Sequence, residues 1–242
     1  EKAHIVGAFR FELSKLTVPA IRERMLASLV NVSAEMAAKI ADGLGMKVPE
    51  AMPKALVKSL PPEVLKSPAL SLTALPGDDG IRSRKVAILV ADGVEGASIV
   101  AVQAALTTAG AVACVIAPRL GPVQTADGES LVATATLENS PSVLFDALVL
   151  PDGNDGVGLL AGYGQTQEFV TNQYRHGKTI LTLGASQVLL DQAGISLTLA
   201  SGKPDPGILL AGVDMLGDGV AAFIVAAGKH RHPARDTEPP QF

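Results

Sequence analysis

Ser186 is the residue whose surroundings come closest to a catalytic motif. It lies in Gly184-Ala185-Ser186-Gln187-Val188, which carries the first half of the G-x-S-x-G turn that exposes a nucleophilic serine between a strand and a helix. The second glycine is absent, His176 precedes the serine, and His230 lies near the end of the chain. We therefore interpret Ser186 as a helix N-cap, whose hydroxyl oxygen accepts hydrogen bonds from the exposed backbone N–H groups at the helix start.

Two further segments carry residue types that bind metal ions. Asp152-Gly153-Asn154-Asp155-Gly156 looks like the opening of a calcium loop, but the spacing is one residue short and no Glu closes it. A turn after a strand explains this segment better. His230-Arg231-His232 could hold a metal weakly, although solvated surface charge is the interpretation we favour.

A loop and a cysteine complete the candidates, and both favour structural roles. Asp92-Gly93-Val94-Glu95-Gly96 opens a predicted helix after a strand, where α/β folds cradle phosphates, but its two carboxylates would repel an anion. Cys114 lies within a predicted strand between Ala113 and Val115, with no cationic neighbour to activate the thiol. We expect turn-forming glycines in the loop and a buried thiol in the strand.

Composition sets the class of protein that must position these residues. A chain of 242 residues with 48% hydrophobic content can bury a full core. Aromatic residues make up only 3%, and the net charge is −4 with lysines and arginines scattered along the sequence. Neither stacking platforms nor a basic stripe is present, so we expect no nucleic-acid partner.

The single cysteine cannot form an internal disulfide, and the first residues do not look like a signal peptide. These features predict a cytoplasmic setting. The apolar run from Val220 to Ala227 is far shorter than a bilayer-spanning helix, so no membrane span is expected.

Residues 1–45 show helical periodicity and predict a hairpin of two helices. Thr17 is predicted to cap the first helix, with Pro19 inside its start, and Ser33 to cap the second. Apolar residues recur at helical spacing in both, namely Ile21, Met25, Leu26 and Leu29, then Met36, Ala37, Ile40 and Leu44. Two such helices need another surface to pack on, which we expect to lie outside this chain.

Residues 46–83 predict a proline-rich linker that ends in the turn signal from Pro76 to Gly80. Beyond it, residues 84–229 alternate between strands and helices, which predicts an α/β fold with a doubly wound parallel sheet. Predicted strands cover Lys85–Val90, Ala111–Ala117, Asp146–Leu150 and Thr179–Leu183, and predicted helices cover Glu95–Ala109, Gln165–Arg175, Ser186–Ala193 and Met215–Lys229. Residues 230–242 are predicted to form a flexible tail.

Several segments resemble the C-terminal region of large-subunit haem catalases. His4-Ile5-Val6-Gly7-Ala8-Phe9-Arg10-Phe11-Glu12 and Pro19-Ala20-Ile21-Arg22-Glu23-Arg24 look like the end of the helical region of these enzymes. Lys85-Val86-Ala87-Ile88-Leu89-Val90 and Phe145-Asp146-Ala147-Leu148-Val149-Leu150-Pro151 are similar to their appended flavodoxin-like domain, which in turn resembles the class I glutamine amidotransferase-like superfamily.

The resemblance implies a parent chain that dismutates hydrogen peroxide at a haem, using residues upstream of this segment. The haem-ligating Tyr of such catalases follows an Arg by four residues, but Leu159 precedes Tyr163 and Val170 precedes Tyr174 at that spacing. His4 does not match the distal motif. No catalytic, cofactor-binding or metal-binding residue is therefore carried over to this chain.

The superfamily's own catalytic positions are also vacant. The resemblance puts the nucleophile position at Leu183 and the acidic partner near Ser98, neither of which can do that chemistry. The leading prediction is a non-catalytic domain without a cofactor that contributes stability, assembly and haem-channel access to an oligomeric parent catalase, with the catalase core as its partner. The alternatives are a holdase-like module that captures unfolded clients through the hairpin and, last, a residual hydrolase using Ser186.

Overall fold

The computed structural model describes residues 2–55, 60–71 and 80–237. They divide between two units, Glu1–Pro76 and Gly77–Phe242. The predicted turn from Pro76 to Gly80 lies, except for Gly80, outside the described residues. Among the residues that are described, no helix is long and apolar enough to cross a membrane.

Where two helices were predicted over residues 1–45, the described part of this segment forms three α-helices: α1 (Lys2–Ser14), α2 (Pro19–Val30) and α3 (Ala34–Gly43). Leu13 of α1 joins Leu26, Leu29 and Ile40 of the predicted hairpin in one buried cluster. The expectation that a covering surface lies outside this chain is thus wrong for this face, because α1 supplies it.

Local signals explain where these helices begin. The Ser33 hydroxyl accepts the Met36 N–H at 3.3 Å, which confirms the predicted cap of α3. Thr17 does not cap α2; the N-cap residue is Val18, without a side-chain bond, and Pro19 begins the helix. Within the predicted stripe of α2, Leu26 and Leu29 are buried, whereas Ile21 and Met25 remain exposed.

The second unit is built on a six-stranded parallel sheet in the order β5-β2-β1-β6-β7-β8, with a separate antiparallel ribbon β3-β4. Its strands are β1 (Lys85–Leu89), β2 (Val112–Ala117), β3 (Gly121–Gln124), β4 (Ser130–Ala133), β5 (Ala135–Thr136), β6 (Ala147–Leu150), β7 (Thr179–Leu183) and β8 (Ile208–Ala211). Its helices are α4 (Gly96–Thr108), α5 (Asn154–Ala161), α6 (Gly164–Arg175), α7 (Gln187–Gln192), α8 (Leu216–Gly228) and α9 (Ala234–Thr237).

This topology confirms the predicted fold class. Without the two-residue edge strand β5, the order corresponds to the 2-1-3-4-5 arrangement of flavodoxin-like folds. Every residue of β6 and β7 is buried, as expected where helices cover both faces of a parallel sheet. One core cluster packs α4 and α8 on one face, and a second packs α5, α6 and α7 on the other.

The predicted flexible tail is wrong for residues 230–237, and residues 238–242 lie outside the described part. Arg235 is 4% exposed and pairs with Asp205 through Nε–Oδ2 at 2.7 Å and Nη2–Oδ1 at 3.1 Å. Its guanidinium also lies 4.3 Å from the centroid of the Tyr174 ring. The segment is held by a buried ion pair that its polar, proline-containing sequence does not reveal. The remaining boundaries, 1–45, 46–83 and 84–229, stay predictions.

Candidate functional site

Three neighbouring strands bring the candidate residues to one edge of the sheet. β1, β6 and β7 lie side by side and in parallel, so their carboxyl ends share an edge. The chain crosses to β2 on one side of β1 and to β6 on the other, and ligands of open α/β sheets bind at such a reversal of strand order. The loops that follow these strands therefore form the candidate site.

The loop after β7 forms a sharp turn into a helix, with its unusual backbone at Gly184. Leu183 is still extended, at φ −104° and ψ 127°, and its side chain is buried in the core. Gly184 has φ +48°, a conformation that other residues rarely adopt. Gly184, which directly follows the predicted nucleophile position Leu183, is thus the residue that supplies the positive φ of the elbow. Neither residue offers an attacking group.

The carboxylate of Asp152 fills the space above Gly184. A Cβ atom built on Gly184 would overlap this carboxylate, so a residue with a side chain at position 184 would displace Asp152 from its present position. Oδ1 of Asp152 accepts the N–H of Gly153 at 2.7 Å and the N–H of Ala185 at 2.9 Å. Two convergent backbone N–H groups are the arrangement that stabilises an oxyanion in acyl-transfer enzymes. Here the chain's own carboxylate occupies it.

Ser186 is buried beneath the elbow, with 0% of its surface exposed. Its hydroxyl donates towards the Leu183 carbonyl at 2.9 Å and the Leu150 carbonyl at 3.3 Å, and accepts the Leu183 N–H at 3.0 Å. Ser186 occupies the N-cap position of α7, as predicted, but its side chain makes no capping bond to that helix, so the role predicted for its hydroxyl is wrong. The hydroxyl instead ties the end of β7 to the end of β6, out of reach of a substrate.

The second vacant position, Ser98, lies in the first turn of α4. Its hydroxyl donates to the Glu95 carbonyl at 3.2 Å, and the residue is 5% exposed. The Glu95 carboxylate accepts the N–H groups of Ala97 at 3.0 Å and Ser98 at 2.8 Å. These are the donors that a phosphate would need at this helix start. Glu95 therefore replaces an external anion rather than merely repelling one.

Asp92 holds the loop after β1 against the β3-β4 ribbon. Its Oδ1 accepts the Gln124 N–H at 2.9 Å, and its Oδ2 lies 3.2 Å from Arg119 Nη2. The backbone hydrogen bond from Gln124, with a smaller effect of Arg119, lowers the pKa of Asp92. Asp92 is therefore ionised at neutral pH and fully engaged in structural contacts.

Glycines allow the loop after β6 to contact the loop after β1. A Cβ built on Gly153, which has φ +103°, would lie 2.7 Å from the Gly93 carbonyl oxygen. The Glu95 N–H also donates to the Asp152 carbonyl at 3.0 Å. Asp152-Gly153-Asn154-Asp155-Gly156 is not a free turn, because α5 begins at Asn154. Its first carboxylate accepts N–H groups, which argues against a calcium loop.

The remaining candidates show no reactive arrangement. Cys114 is partly buried on β2, and this burial raises the pKa of its thiol. His4 lies on an exposed face of α1, and the His232 ring lies 2.8 Å from Thr179 Oγ1 inside the domain. Within the ranges the structure describes, no group of three or more His, Cys, Asp or Glu side chains could hold a metal ion.

The two tyrosines, which lack the sequence spacing of a haem ligand, lie in different surroundings. Tyr174 is 2% exposed and its ring packs under Arg235, while burial raises the pKa of its hydroxyl. Tyr163 lies in the turn between α5 and α6 and is 40% exposed.

The fold and this edge define a flavodoxin-like α/β domain whose elbow has no nucleophile and is closed by its own carboxylate. Residues 82–236 match a family described as the C-terminal domain found in long catalases, and residues 1–44 match a family described as catalase-related immune-responsive. The chain belongs to the family of C-terminal regions of long catalases.

Individual relatives agree with this assignment. The chain is 35% identical to catalase HPII of Pseudomonas putida over 96% of its own length and 30% of the relative. It is 38% identical to catalase C of Rhizobium meliloti over 84% of its length and 28% of the relative, and 30% identical to catalase-2 of Bacillus subtilis over 96% and 31%. It thus spans less than a third of the catalases that it matches.

Proposed function

We propose that this chain is the non-catalytic C-terminal part of a large-subunit catalase. The closed elbow carries the proposal: neither Leu183, the predicted nucleophile position, nor Gly184 offers an attacking group, and the Asp152 carboxylate fills the space above Gly184. The parent reaction would be dismutation of hydrogen peroxide at a haem held by upstream residues. In this proposal the fragment binds no cofactor and its partner is the catalase core of the same chain, in a cytoplasmic homo-oligomer.

Within that parent, the proposed contributions are stability, assembly and access to the haem channel. The domain suits a passive role because its sheet is buried on both faces and its last helix is secured by the Arg235–Asp205 pair. A rigid body of this kind can cover a subunit surface without taking part in chemistry.

The proposal is tested by comparing the full-length parent with a parent that ends at Pro76. Turnover per bound haem, haem content, subunit mass and residual activity after heating would be measured on both. We expect unchanged haem content and a shorter half-life on heating without the domain. Loss of turnover at unchanged haem content, together with no change in heat resistance or assembly, would contradict the proposal.

A holdase-like module is the second candidate, favoured by the apolar side chains that α1 and α2 leave exposed. Phe11, Ile21 and Met25 are 64%, 43% and 41% exposed. Suppression of client aggregation on heating, followed by light scattering, would test it. The activity should fall in Ile21→Ser/Met25→Ser and persist in Val143→Ser, a matched change at an exposed residue of the second unit. Equal suppression of aggregation by the wild type and both variants would exclude Ile21 and Met25 as the surface that binds clients.

A residual hydrolase using Ser186 is not supported by the geometry. The hydroxyl is buried and engaged with strand-end backbone groups, and the N–H pair beside it already binds Asp152.

A further inference from the structure

The opposite edge of the sheet, where the strands begin, collects charged residues from distant parts of the chain. Arg84, Asp146 and Lys178 each stand directly before a strand, and these strands, β1, β6 and β7, are neighbours. Because parallel strands start at the same edge, the three side chains come together there. The topology thus brings together two cations and a carboxylate that are far apart in the sequence.

The segment after α8 adds two more basic residues to this edge. His230 Nε2 lies 3.9 Å from Asp146 Oδ1, and the Arg231 guanidinium donates to the carbonyl of His176. We call this group of residues the basic edge: Arg84, His176, Lys178, His230 and Arg231, with the single carboxylate Asp146.

The positive charge of the basic edge exceeds its negative charge. Among the described residues, the cations that lower the pKa of His230 are Arg84, Arg231 and Lys178, and Asp146 acts in the opposite direction. Asp146 also accepts the Lys85 N–H at 2.8 Å through its second oxygen. One carboxylate thus faces three permanent cations, in a chain whose net charge is −4.

The buried cations have neutral hydrogen-bond partners. Lys178 is 6% exposed, and its ammonium group donates to the carbonyls of Ser142, at 3.2 Å, and Phe145. Arg84 Nη2 donates to the Gly228 carbonyl at 3.2 Å, whereas its Nη1 is buried without a hydrogen-bond partner. Carbonyl oxygens satisfy the donors without carrying a negative charge, and burial together with Arg231 lowers the pKa of Lys178.

The helices that end here account for only part of this charge. α6 ends at Arg175 and α8 at Gly228, and each helix end carries roughly half a negative charge. Two such ends and Asp146 offset about two of the three positive charges of Arg84, Lys178 and Arg231. An excess of positive charge remains.

The pKa values of the two exposed histidines, His176 and His230, are shifted in the direction that this excess of positive charge predicts. Burial, followed by neighbouring cations including Lys178 and Arg231, lowers the pKa of His176. Burial and then Arg84 and Arg231 lower the pKa of His230, which only Asp146 opposes. An anion bound at the basic edge would raise the pKa of these histidines and so oppose the effect of the cations.

We propose that the basic edge is a binding site for a small multivalent oxyanion of the phosphate type. The exposed side chains of Arg231 and His230 would contact the anion, while Lys178 and Arg84 attract it from below. His230 has φ +65°, an uncommon conformation for a residue with a side chain, which turns the chain back across this edge.

The test is an NMR titration of the histidine rings of the full 242-residue chain in inorganic phosphate and in sodium chloride of equal ionic strength. Phosphate should raise the pKa of His230 by about one unit, as expected for an opposite charge within a few ångströms, and chloride should not. Arg231→Gln should weaken phosphate binding about 10-fold, the loss of one charged hydrogen bond. Lys203→Gln removes the same charge from an exposed loop and should leave binding unchanged.

Phosphate and chloride shifting His230 equally would overturn the proposal, because simple screening would then explain the effect. It would equally be overturned if Arg231→Gln and Lys203→Gln bound phosphate with the same affinity as the wild type. Sulfate added in place of phosphate separates a general oxyanion site, where both bind, from one that recognises a phosphate group.

Discussion

Oδ1 of Asp152 lies 2.9 Å from the backbone nitrogen of Ala185, directly above the turn at Gly184. An aspartate on the loop after one strand thus fills the elbow that follows the neighbouring strand. Glu95 does the same at the start of α4, where it accepts two N–H groups of the first turn. At the elbow and at the start of α4, a carboxylate of the chain itself accepts the backbone N–H groups that could otherwise bind an external anion.

Asp152→Ala should destabilise the second unit by about 2 kcal/mol, because the N–H groups of Gly153 and Ala185 lose their acceptor. Chemical denaturation would measure this change. Formate should raise the melting temperature of the variant but not that of the wild type, by filling the vacated position. Asp155→Ala, an exposed carboxylate on α5, is the control and should cost less than about 1 kcal/mol. Absence of any formate effect would argue against a preformed anion position.

Gly184→Ala should destabilise the domain by about 3 kcal/mol, since the new Cβ overlaps the Asp152 carboxylate and the backbone has a positive φ. Gly158→Ala is a matched control in α5, where a Cβ meets no atom, and should stabilise by up to about 1 kcal/mol. Combining Gly184→Ala with Asp152→Gly should recover part of the loss. Strict additivity of the two changes would show that the two positions are not coupled.

Arg235→Ala should cost about 3–5 kcal/mol, because it leaves Asp205 buried without its cation. Arg119→Ala removes a cation from the exposed Asp92 pair and should cost less than about 1 kcal/mol. Urea denaturation of both variants gives the comparison. Similar small losses would mean that the C-terminal segment is not anchored through Arg235.

Stability should fall as the pH drops from about 6.5 to about 4, partly through His232. Burial lowers the pKa of this ring to about 4, so in this window the unfolded chain binds a proton that the folded chain excludes. The loss attributable to His232 is at most about 3 kcal/mol and is absent above pH 6.5. His232→Gln should flatten the pH dependence of the free energy of unfolding, although His176 and His230 contribute in the same direction. An unchanged slope would exclude His232 as a source.

The regular core could be predicted from sequence because its signals are local. Continuous apolar runs indicate β1, β6 and β7, and apolar spacing with terminal glycines indicates α4 and α6. Weaker elements were missed. α5 contains Gly156 and Gly158 and was interpreted as a turn, and β8 is a short run after the prolines of a loop.

The chemistry of the candidate site was less accessible to sequence reasoning because it depends on contacts between loops. Leu183 and Gly184 are adjacent, and the sequence alone does not show that the positive φ of the turn falls on Gly184. Nothing local to Asp152 indicates that its carboxylate reaches Ala185, which is 33 residues away. The anchoring of the C-terminal segment is hidden from sequence reasoning for the same reason, because Arg235 pairs with Asp205, which is 30 residues away.

Oxygen release from hydrogen peroxide by the purified chain, after incubation with haemin and removal of unbound haem, tests the central claim most directly. Because neither tyrosine has the sequence spacing of the haem ligand and the Asp152 carboxylate closes the elbow, we predict that no haem is retained and that oxygen release equals that of buffer. Stable retention of haem together with sustained, catalase-like oxygen release would contradict the account of this chain as a non-catalytic domain.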